Sequence, residues 1–300
     1  MDRPLCLYHG NCADGFTAAW AVWRALGDGV EFLPAHYGMT PPEVTGRDVI
    51  MVDFSFKRPV IDALAETCRT MLILDHHATA AEDLARIGAP YAYGWETYLE
   101  AVHNAYHQFD RDPRAPFAIF DMNRSGAQIA WDFFHPGEPR PQLVEYVADR
   151  DLWRFDLPSS REIAAVLHSH DFDFDMWDVL ASMIDRNIGD LVSQGTAIER
   201  KSRKDVAGMV RLTRRSMRIG GQVVPVANLP PIMASDAGHL LAEGQPFAAS
   251  YFDKDGARIF SLRSRQGGAD VAAIAAQYGG GGHRNAAGFQ APAGWEGDPA

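Results

Sequence analysis

The sequence is poor in cysteine. Its 300 residues include three cysteines, Cys6, Cys12 and Cys68, and their number and spacing match neither paired disulfides nor a zinc-binding motif. A disulfide framework or a structural zinc site is therefore not expected to hold the fold together.

Long apolar runs are also lacking. The run at residues 5–8 follows Asp2 and Arg3 and is too short for a secretory signal. No stretch approaches the length of a membrane span. We therefore expect a cytoplasmic protein that has no membrane partner.

Positive charge is scarce. Lys and Arg number 28 against 39 Asp and Glu, which gives a formal net charge of −11. Proteins that coat long nucleic acids rely on Lys and Arg to neutralise phosphates, so that class is not expected here. Residues 188–218 depart from the average with eight basic and three acidic side chains. They form either a solvated helix surface or a cationic wall that guides a polyanionic substrate.

Short apolar runs alternate with amphipathic helical patterns through the first third of the chain. This alternation predicts an α/β domain with a mostly parallel sheet. The predicted strands are residues 5–9, 30–37, 48–53, 71–75 and 117–121. His9, Asp53 and Asp75 each end a predicted strand. Because open α/β sheets bind ligands at this edge, the sequence predicts a polar site there.

The last third of the chain has a different pattern. Asp-Lys-Asp-Gly at residues 253–256 predicts a hairpin between two strands, and a predicted helix at residues 270–278 runs into a glycine run. We expect a catalytic domain at 1–189, a helical connector at 190–219 and a smaller α+β domain at 220–290. Residues 291–300 are expected to form a disordered tail.

The motif Asp75-His76-His77 is the strongest local signal. Alone, these polar residues could simply cap the next helix. However, the first strand ends at His9, Asp14 follows in the next helix, and another strand ends at Asp53. Carboxylates and imidazoles together suit Mn²⁺, Mg²⁺, Fe²⁺ or Zn²⁺, and their convergence at one edge is what a two-metal hydrolase requires.

The second motif is the run Gly-Gly-Gly-Gly-His-Arg-Asn-Ala-Ala-Gly at residues 279–288. Such a run is either a flexible linker or a loop whose backbone N–H groups hold a phosphate. Arg263 favours the second interpretation, because Arg suits bidentate phosphate binding. The predicted substrate-binding residues are Arg263, Gly281, Gly282, His283 and Arg284.

From about residue 5 to 290, the chain resembles the DHH family of phosphoesterases. Asp75-His76-His77 and the run at residues 280–288 carry this resemblance, in the family's order. The family includes RecJ-type nucleases, oligoribonucleases that also dephosphorylate 3′-phosphoadenosine 5′-phosphate, cyclic dinucleotide phosphodiesterases and family II pyrophosphatases. The resemblance implies a catalytic domain, a DHH-associated C-terminal domain and one or two divalent metal ions, with Mn²⁺ the first choice.

The resemblance also implies roles for individual residues. Asp53 would bridge two metals, Asp75 would be a ligand or would orient one, and His77 would contact the scissile phosphate. Asp75 and His77 are therefore the catalytic candidates. The implied metal ligands are His9, Asp14, Asp53, Asp75, His76 and Asp149.

Three further residues stay open. The family's fourth motif matches residues 147–151, where Asp149 is the better ligand and Asp151 the second choice. Asn11 and Cys12 lie in the first motif, and Cys12 stands where the family usually has an aspartate. Cys12 could be a thiolate ligand, a neutral filler or the sign of a weak metal site. A thiolate would favour zinc or iron over magnesium.

The predicted function is hydrolysis of phosphodiester or phosphomonoester bonds in short oligonucleotides, linear dinucleotides or small nucleotides. One alternative is a pyrophosphatase or polyphosphatase. A second alternative, motivated by Cys12, is a nucleic-acid-binding member of the family with weakened catalysis. The sequence leaves the oligomeric state open, including a homodimer.

Overall fold

The computed structural model describes residues 3–109 and 112–299. The chain divides into two compact units, Met1–Ile198 and Glu199–Ala300.

The first unit is built on a five-stranded sheet. All its strands are parallel, in the order β2-β1-β3-β4-β5. The strands are β1 Leu5–His9, β2 Glu31–Ala35, β3 Asp48–Val52, β4 Thr70–Asp75 and β5 Phe117–Phe120. Strands β3 and β4 are buried along their whole length, as expected for parallel strands covered on both faces. The predicted α/β class is confirmed.

Helices cover both faces of this sheet. The helices of this unit are α1 Ala13–Leu26, α2 Arg58–Ala65, α3 Ala78–Asp83, α4 Trp95–Phe109, α5 Gly126–Phe134, α6 Gln142–Asp151 and α7 Ser160–Leu167, with a 3₁₀ turn at Gly27–Gly29. Helix α8 Phe174–Thr213 begins in this unit and ends in the second. Alternate residues of β3 enter two separate cores, with Ile50 and Val52 in one and Val49 and Met51 in the other. Helix α8 is broken at Asn187, whose backbone is not helical.

The second unit contains a six-stranded mixed sheet in the order β10-β11-β9-β8-β7-β6. Its strands are β6 Arg214–Ile219, β7 Gln222–Asn228, β8 Ala248–Lys254, β9 Ala257–Arg263, β10 Gly281–His283 and β11 Ala286–Pro292; its helices are α9 Ala234–Leu241 and α10 Val271–Ala276, with a 3₁₀ turn at Pro231–Met233. Among the described strands of this sheet, only the β7–β8 pair is parallel. The α+β class is confirmed, and the predicted hairpin joins β8 to β9.

The second sheet extends past both predicted boundaries. Strand β6 falls inside the predicted connector, because Met217 and Ile219 alternate into the core of the second unit. Within the predicted tail, the Trp295 ring packs 5.2 Å from the Phe260 ring, and Asp298 accepts a hydrogen bond from the Tyr278 hydroxyl at 2.8 Å. Residues 293–299 are therefore held against the sheet by packing that their composition did not reveal.

Within the described part of the chain, each helix is either too short or too polar to cross a membrane.

Candidate metal centre

Polar side chains gather at the carboxyl edge of the first sheet. His9 is the last residue of β1, Asp53 follows β3, and Asp75 is the last residue of β4. Because β1 lies between β2 and β3, the strand order reverses between β1 and β3, which is where open α/β sheets form a ligand crevice. The three strand-end residues therefore lie at this edge of the sheet, and a binding site there stays a prediction.

The backbone at Asp53 is strained. Its φ angle is 52°, in the left-handed region, while its N–H donates to the carbonyl of Leu74 at 2.9 Å. The start of helix α5 packs directly on it, since a Cβ atom at Gly126 would overlap the Asp53 side chain. Strained residues of this kind persist where the surrounding structure fixes them, often at functional sites.

Helix α5 also fixes Asp14, which lies in the first turn of α1. The Asp14 carboxylate accepts hydrogen bonds from the backbone N–H groups of Gly126 at 2.6 Å and Ala127 at 3.1 Å. Ser125 and Gln128 form a capping box at the same helix end. The positive end of the α5 dipole therefore holds a carboxylate that is almost fully buried.

Asp75 orients the two histidines that follow it. Its Oδ1 atom lies 2.7 Å from Nδ1 of His77 and accepts the backbone N–H of His76 at 2.7 Å. Its Oδ2 atom accepts a hydrogen bond from the Ser55 hydroxyl at 3.0 Å. When Nδ1 of a neutral His77 donates to Asp75, Nε2 keeps its lone pair for a metal or substrate. Of the two roles left open for Asp75, this geometry favours the orienting one.

Two groups of three side chains among the described residues of this unit could each hold a metal ion, and we call them trios. In each trio, one possible ligand atom from every residue lies within 4.8 Å of the other two. The trios are His9, Asp53 and His77, and Asp14, Asp53 and His76. Nε2 of His76 lies 3.0 Å from Asp53 and 3.7 Å from Asp14. Asp53 belongs to both trios, as a bridging carboxylate would. Imidazole nitrogens and carboxylate oxygens at these separations fit one or two divalent metal ions.

The electrostatics of the centre also fit a cation. Burial raises the pKa of Asp14, and the charges of Asp53 and Asp151 raise it further. Burial opposes protonation of His76, but its hydrogen bond to Asp53 and the charge of Asp151 outweigh burial and raise the pKa to about 11. Buried carboxylates that crowd one another are stabilised by a nearby positive charge, which a protonated imidazole or a metal ion supplies.

Comparisons with known proteins identify the fold of this chain but match it to no family model. No model of a known protein family matches the chain. An uncharacterised protein of Acanthamoeba polyphaga mimivirus is 26% identical over 94% of the chain, and the chain spans 66% of that protein's length. A solved DHH domain, from a protein described as a member of a ribosomal-protein family, superimposes with a TM-score of 0.54 over 96% of this chain and 82% of that one, at 13% identity.

This chain has the DHH fold. The resemblance noted from the motifs is confirmed at the level of the fold. Another solved structure, the pGpG-specific phosphodiesterase PggH from Vibrio cholerae, matches 97% of this chain and 94% of its own, with a TM-score of 0.47 and 13% identity.

The two aspartates of the fourth motif reverse the expected preference, because Asp151 and not Asp149 lies near the centre. The Asp149 carboxylate accepts the backbone N–H groups of Asp156 at 2.9 Å and Leu157 at 3.2 Å, so it fastens the segment after α6. Asp151 instead lies 3.6 Å from Nε2 of His76. Residues two apart on a helix face different directions, so only one of this pair reaches the centre. The structure brings Asp151 there in place of Asp149.

The first-motif residues left open lie beside the centre. Cys12 occupies the N-cap position of α1 without a side-chain capping hydrogen bond. It is half-buried and belongs to neither trio among the described residues. Burial and the negative charge of Asp53 raise the pKa of its thiol. Asn11 is exposed and has a φ angle of 57°. This geometry favours the neutral-filler interpretation of Cys12.

Arg263, in the second unit, ends strand β9 against helix α9. Its Nη2 atom donates to the Ser235 hydroxyl at 3.0 Å, and its Nη1 atom donates to the carbonyl of Leu262 at 2.9 Å. A Cβ atom at Gly238 would overlap the Arg263 side chain, so this glycine makes room for it. The guanidinium group is therefore held in place, as a binding residue requires.

The glycine run forms an edge hairpin. Gly281, Gly282 and His283 make up β10, which pairs with β11. A Cβ atom at Gly280 would overlap the backbone of β11, and Gly282 has a φ angle of 141°. Arg284 pairs with Asp270 at 3.1 Å. Close backbone packing thus accounts for two of the glycines, and phosphate binding by the run stays a prediction.

Ser55 and Tyr37 also contact the centre, although neither was predicted from the sequence. Ser55 bonds Asp75, and the Tyr37 ring lies 6.0 Å from the His9 ring. No motif marked either residue. The capping box of Ser125 and Gln128, by contrast, was readable from its spacing.

Proposed function

We propose that this protein is a divalent-metal-dependent phosphoesterase. Its proposed substrates are short oligonucleotides, linear dinucleotides or small nucleotides, in which it would hydrolyse phosphodiester or phosphomonoester bonds. The observation that carries the proposal is the pair of trios that share the buried Asp53 at the sheet edge.

The proposed ligands divide between two positions. His9, Asp53 and His77 would hold one ion, and Asp14, Asp53 and His76 would hold the other, with Asp151 3.6 Å from His76. Mn²⁺ is the proposed metal, because mixed imidazole and carboxylate ligands suit it; Mg²⁺, Fe²⁺ and Zn²⁺ remain alternatives. Bound metals would acidify a water molecule and neutralise charge on the phosphoryl oxygens.

The remaining residues support that chemistry. Asp75 fixes the ring orientation of His77, and Ser55 fixes Asp75 in turn. Helix α5 holds Asp14 through two N–H groups. In the second unit, we propose that Arg263 and the hairpin residues Gly281, Gly282, His283 and Arg284 bind phosphate groups of the substrate. The ordered guanidinium group of Arg263 supports its part in this role.

A direct experiment follows the release of mononucleotides from 5′-labelled dinucleotides with Mn²⁺, with and without chelator. Inorganic pyrophosphate is assayed in parallel. We expect metal-dependent release that the chelator abolishes and that exceeds the turnover of pyrophosphate. Hydrolysis of pyrophosphate alone would identify a pyrophosphatase, and no hydrolysis by metal-loaded protein would contradict the proposal.

A further inference from the structure

Tyr37 is an aromatic residue at the metal centre that the ligand assignment does not use. It follows β2, whose last residue, Ala35, is aligned with His9 of β1. The N–H of Gly10 donates to the carbonyl of Ala35 at 2.9 Å. Tyr37 therefore leaves the sheet beside the end of β1, where the metal centre begins.

The Tyr37 ring borders one trio. Its centroid lies 6.0 Å from the His9 ring and 6.3 Å from the His77 ring, with interplanar angles of 64° and 83°. The ring of Phe54, which is fully buried, lies 5.3 Å away and supports it. These contacts fix the position of Tyr37 next to two imidazoles of the centre.

The side chain is nevertheless 53% exposed. Three other tyrosines in the described residues are similarly exposed, and their rings contact Phe117, Phe133 and His107 instead of the trios. Of these four exposed tyrosines in the described residues, Tyr37 is the one whose ring contacts members of a trio, His9 and His77. A supported ring with an open surface is what a nucleobase needs for stacking.

The Tyr37 hydroxyl also differs from those of buried tyrosines. The hydroxyl groups of Tyr98 and Tyr146 donate to the carbonyls of Met71 and Pro158. Within the described residues, the Tyr37 hydroxyl makes no hydrogen bond to protein. The contacts of the described residues therefore leave part of the Tyr37 side chain uncovered.

We propose that Tyr37 stacks on a nucleobase of the substrate and thereby selects nucleoside phosphates over phosphates that lack a base. The inference rests on the proposed function and names the substrate class for the same centre. Because every nucleobase has a π face, stacking by Tyr37 should discriminate little among bases.

The rival role for Tyr37 is packing that orients His9 and His77. The two roles differ in substrate dependence. Loss of stacking weakens only substrates that carry a base, whereas loss of imidazole orientation lowers metal content and affects every substrate alike.

The test compares Tyr37→Ala and Tyr37→Phe on a 5′-phosphorylated dinucleotide and on its abasic counterpart, in which hydrogen replaces both bases. We expect Tyr37→Ala to raise KM about tenfold for the dinucleotide and less than about twofold for the abasic compound, whereas Tyr37→Phe, which keeps the ring, stays near wild type on both. Tyr91→Ala is the control, because Tyr91 is similarly exposed but its ring packs on Phe117, at the opposite end of the strands. Metal content is measured for every variant.

Equal losses on both substrates, or a lower metal content in Tyr37→Ala, would overturn the stacking role. To separate this outcome from failure of the proposed function, the affinities of wild type and Tyr37→Ala for adenosine 5′-monophosphate and for ribose 5-phosphate are measured by calorimetry. If wild type hydrolyses no dinucleotide, but Tyr37→Ala weakens binding of the nucleotide alone, the proposed function fails and the stacking role stands.

Discussion

The two units use their motif residues in different ways. In the first unit, the motif histidines and aspartates lie together around Asp53, where they crowd charge into a buried space. In the second unit, two motif glycines, Gly280 and Gly282, are required by close backbone packing in an edge hairpin. The difference shows that crowded buried carboxylates require a nearby positive charge, from a protonated imidazole or a metal ion, whereas a glycine run can be explained by close backbone packing alone.

The largest expected effect comes from Asp53→Asn. Because Asp53 belongs to both trios, this change should remove bound metal and lower the hydrolysis rate by more than about 100-fold, a loss of over about 2.7 kcal/mol in transition-state stabilisation. Metal analysis and initial rates check the prediction. Asp62→Asn, at an exposed position on α2, is the control and should change neither quantity. A metal-loaded, active Asp53→Asn protein would remove the bridging role.

A pair of glycine substitutions tests the comparison itself. Gly126→Ala and Gly280→Ala both introduce a Cβ atom that overlaps a neighbour, so each should destabilise its unit by about 1–3 kcal/mol. Gly126→Ala should also weaken metal binding, because the overlap is with Asp53. Gly280→Ala should leave metal binding unchanged. Denaturant unfolding and Mn²⁺ titration measure the two effects, and a loss of metal binding in Gly280→Ala would break the distinction between the units.

The sequence predicted much of this arrangement. The apolar runs located all five strands of the first sheet, and His9 and Asp53, at two of the predicted strand ends, lie close together in the structure. It favoured Asp149 over Asp151 as a ligand, whereas Asp151 is the one that lies beside His76, because the rotation of α6 about its axis decides which of the two faces the centre. Composition could not show that Trp295 packs on the second sheet, since that contact joins segments distant in sequence.

A smaller effect should follow pH. The raised pKa values of His9, His76 and His77 mean that a metal must displace protons from the imidazoles. Apparent Mn²⁺ affinity should therefore fall as pH decreases, by about tenfold per pH unit for each proton released. The number of protons released when Mn²⁺ binds is measured by calorimetric titrations in buffers of different ionisation enthalpy. An affinity that does not change between pH 6 and pH 8 would show that these imidazoles are not ligands.

The smallest expected difference separates Asp151 from Asp149. Asp151→Asn should weaken Mn²⁺ binding by about tenfold, because the residue lies beside His76. Asp149→Asn should change metal affinity less and mainly lower stability, by about 1–3 kcal/mol, because its carboxylate accepts two backbone N–H groups. Paired metal titrations and unfolding curves check this order, and the reverse order would return the ligand role to Asp149.

The most direct test of the central claim is a crystal structure of the Mn²⁺-loaded protein with anomalous data collected at the manganese edge. We predict anomalous peaks at the carboxyl edge of the first sheet, with Asp53 coordinating the metal and His9 and His76 among the other ligands. Manganese bound elsewhere, with Asp53 uncoordinated, would contradict the account.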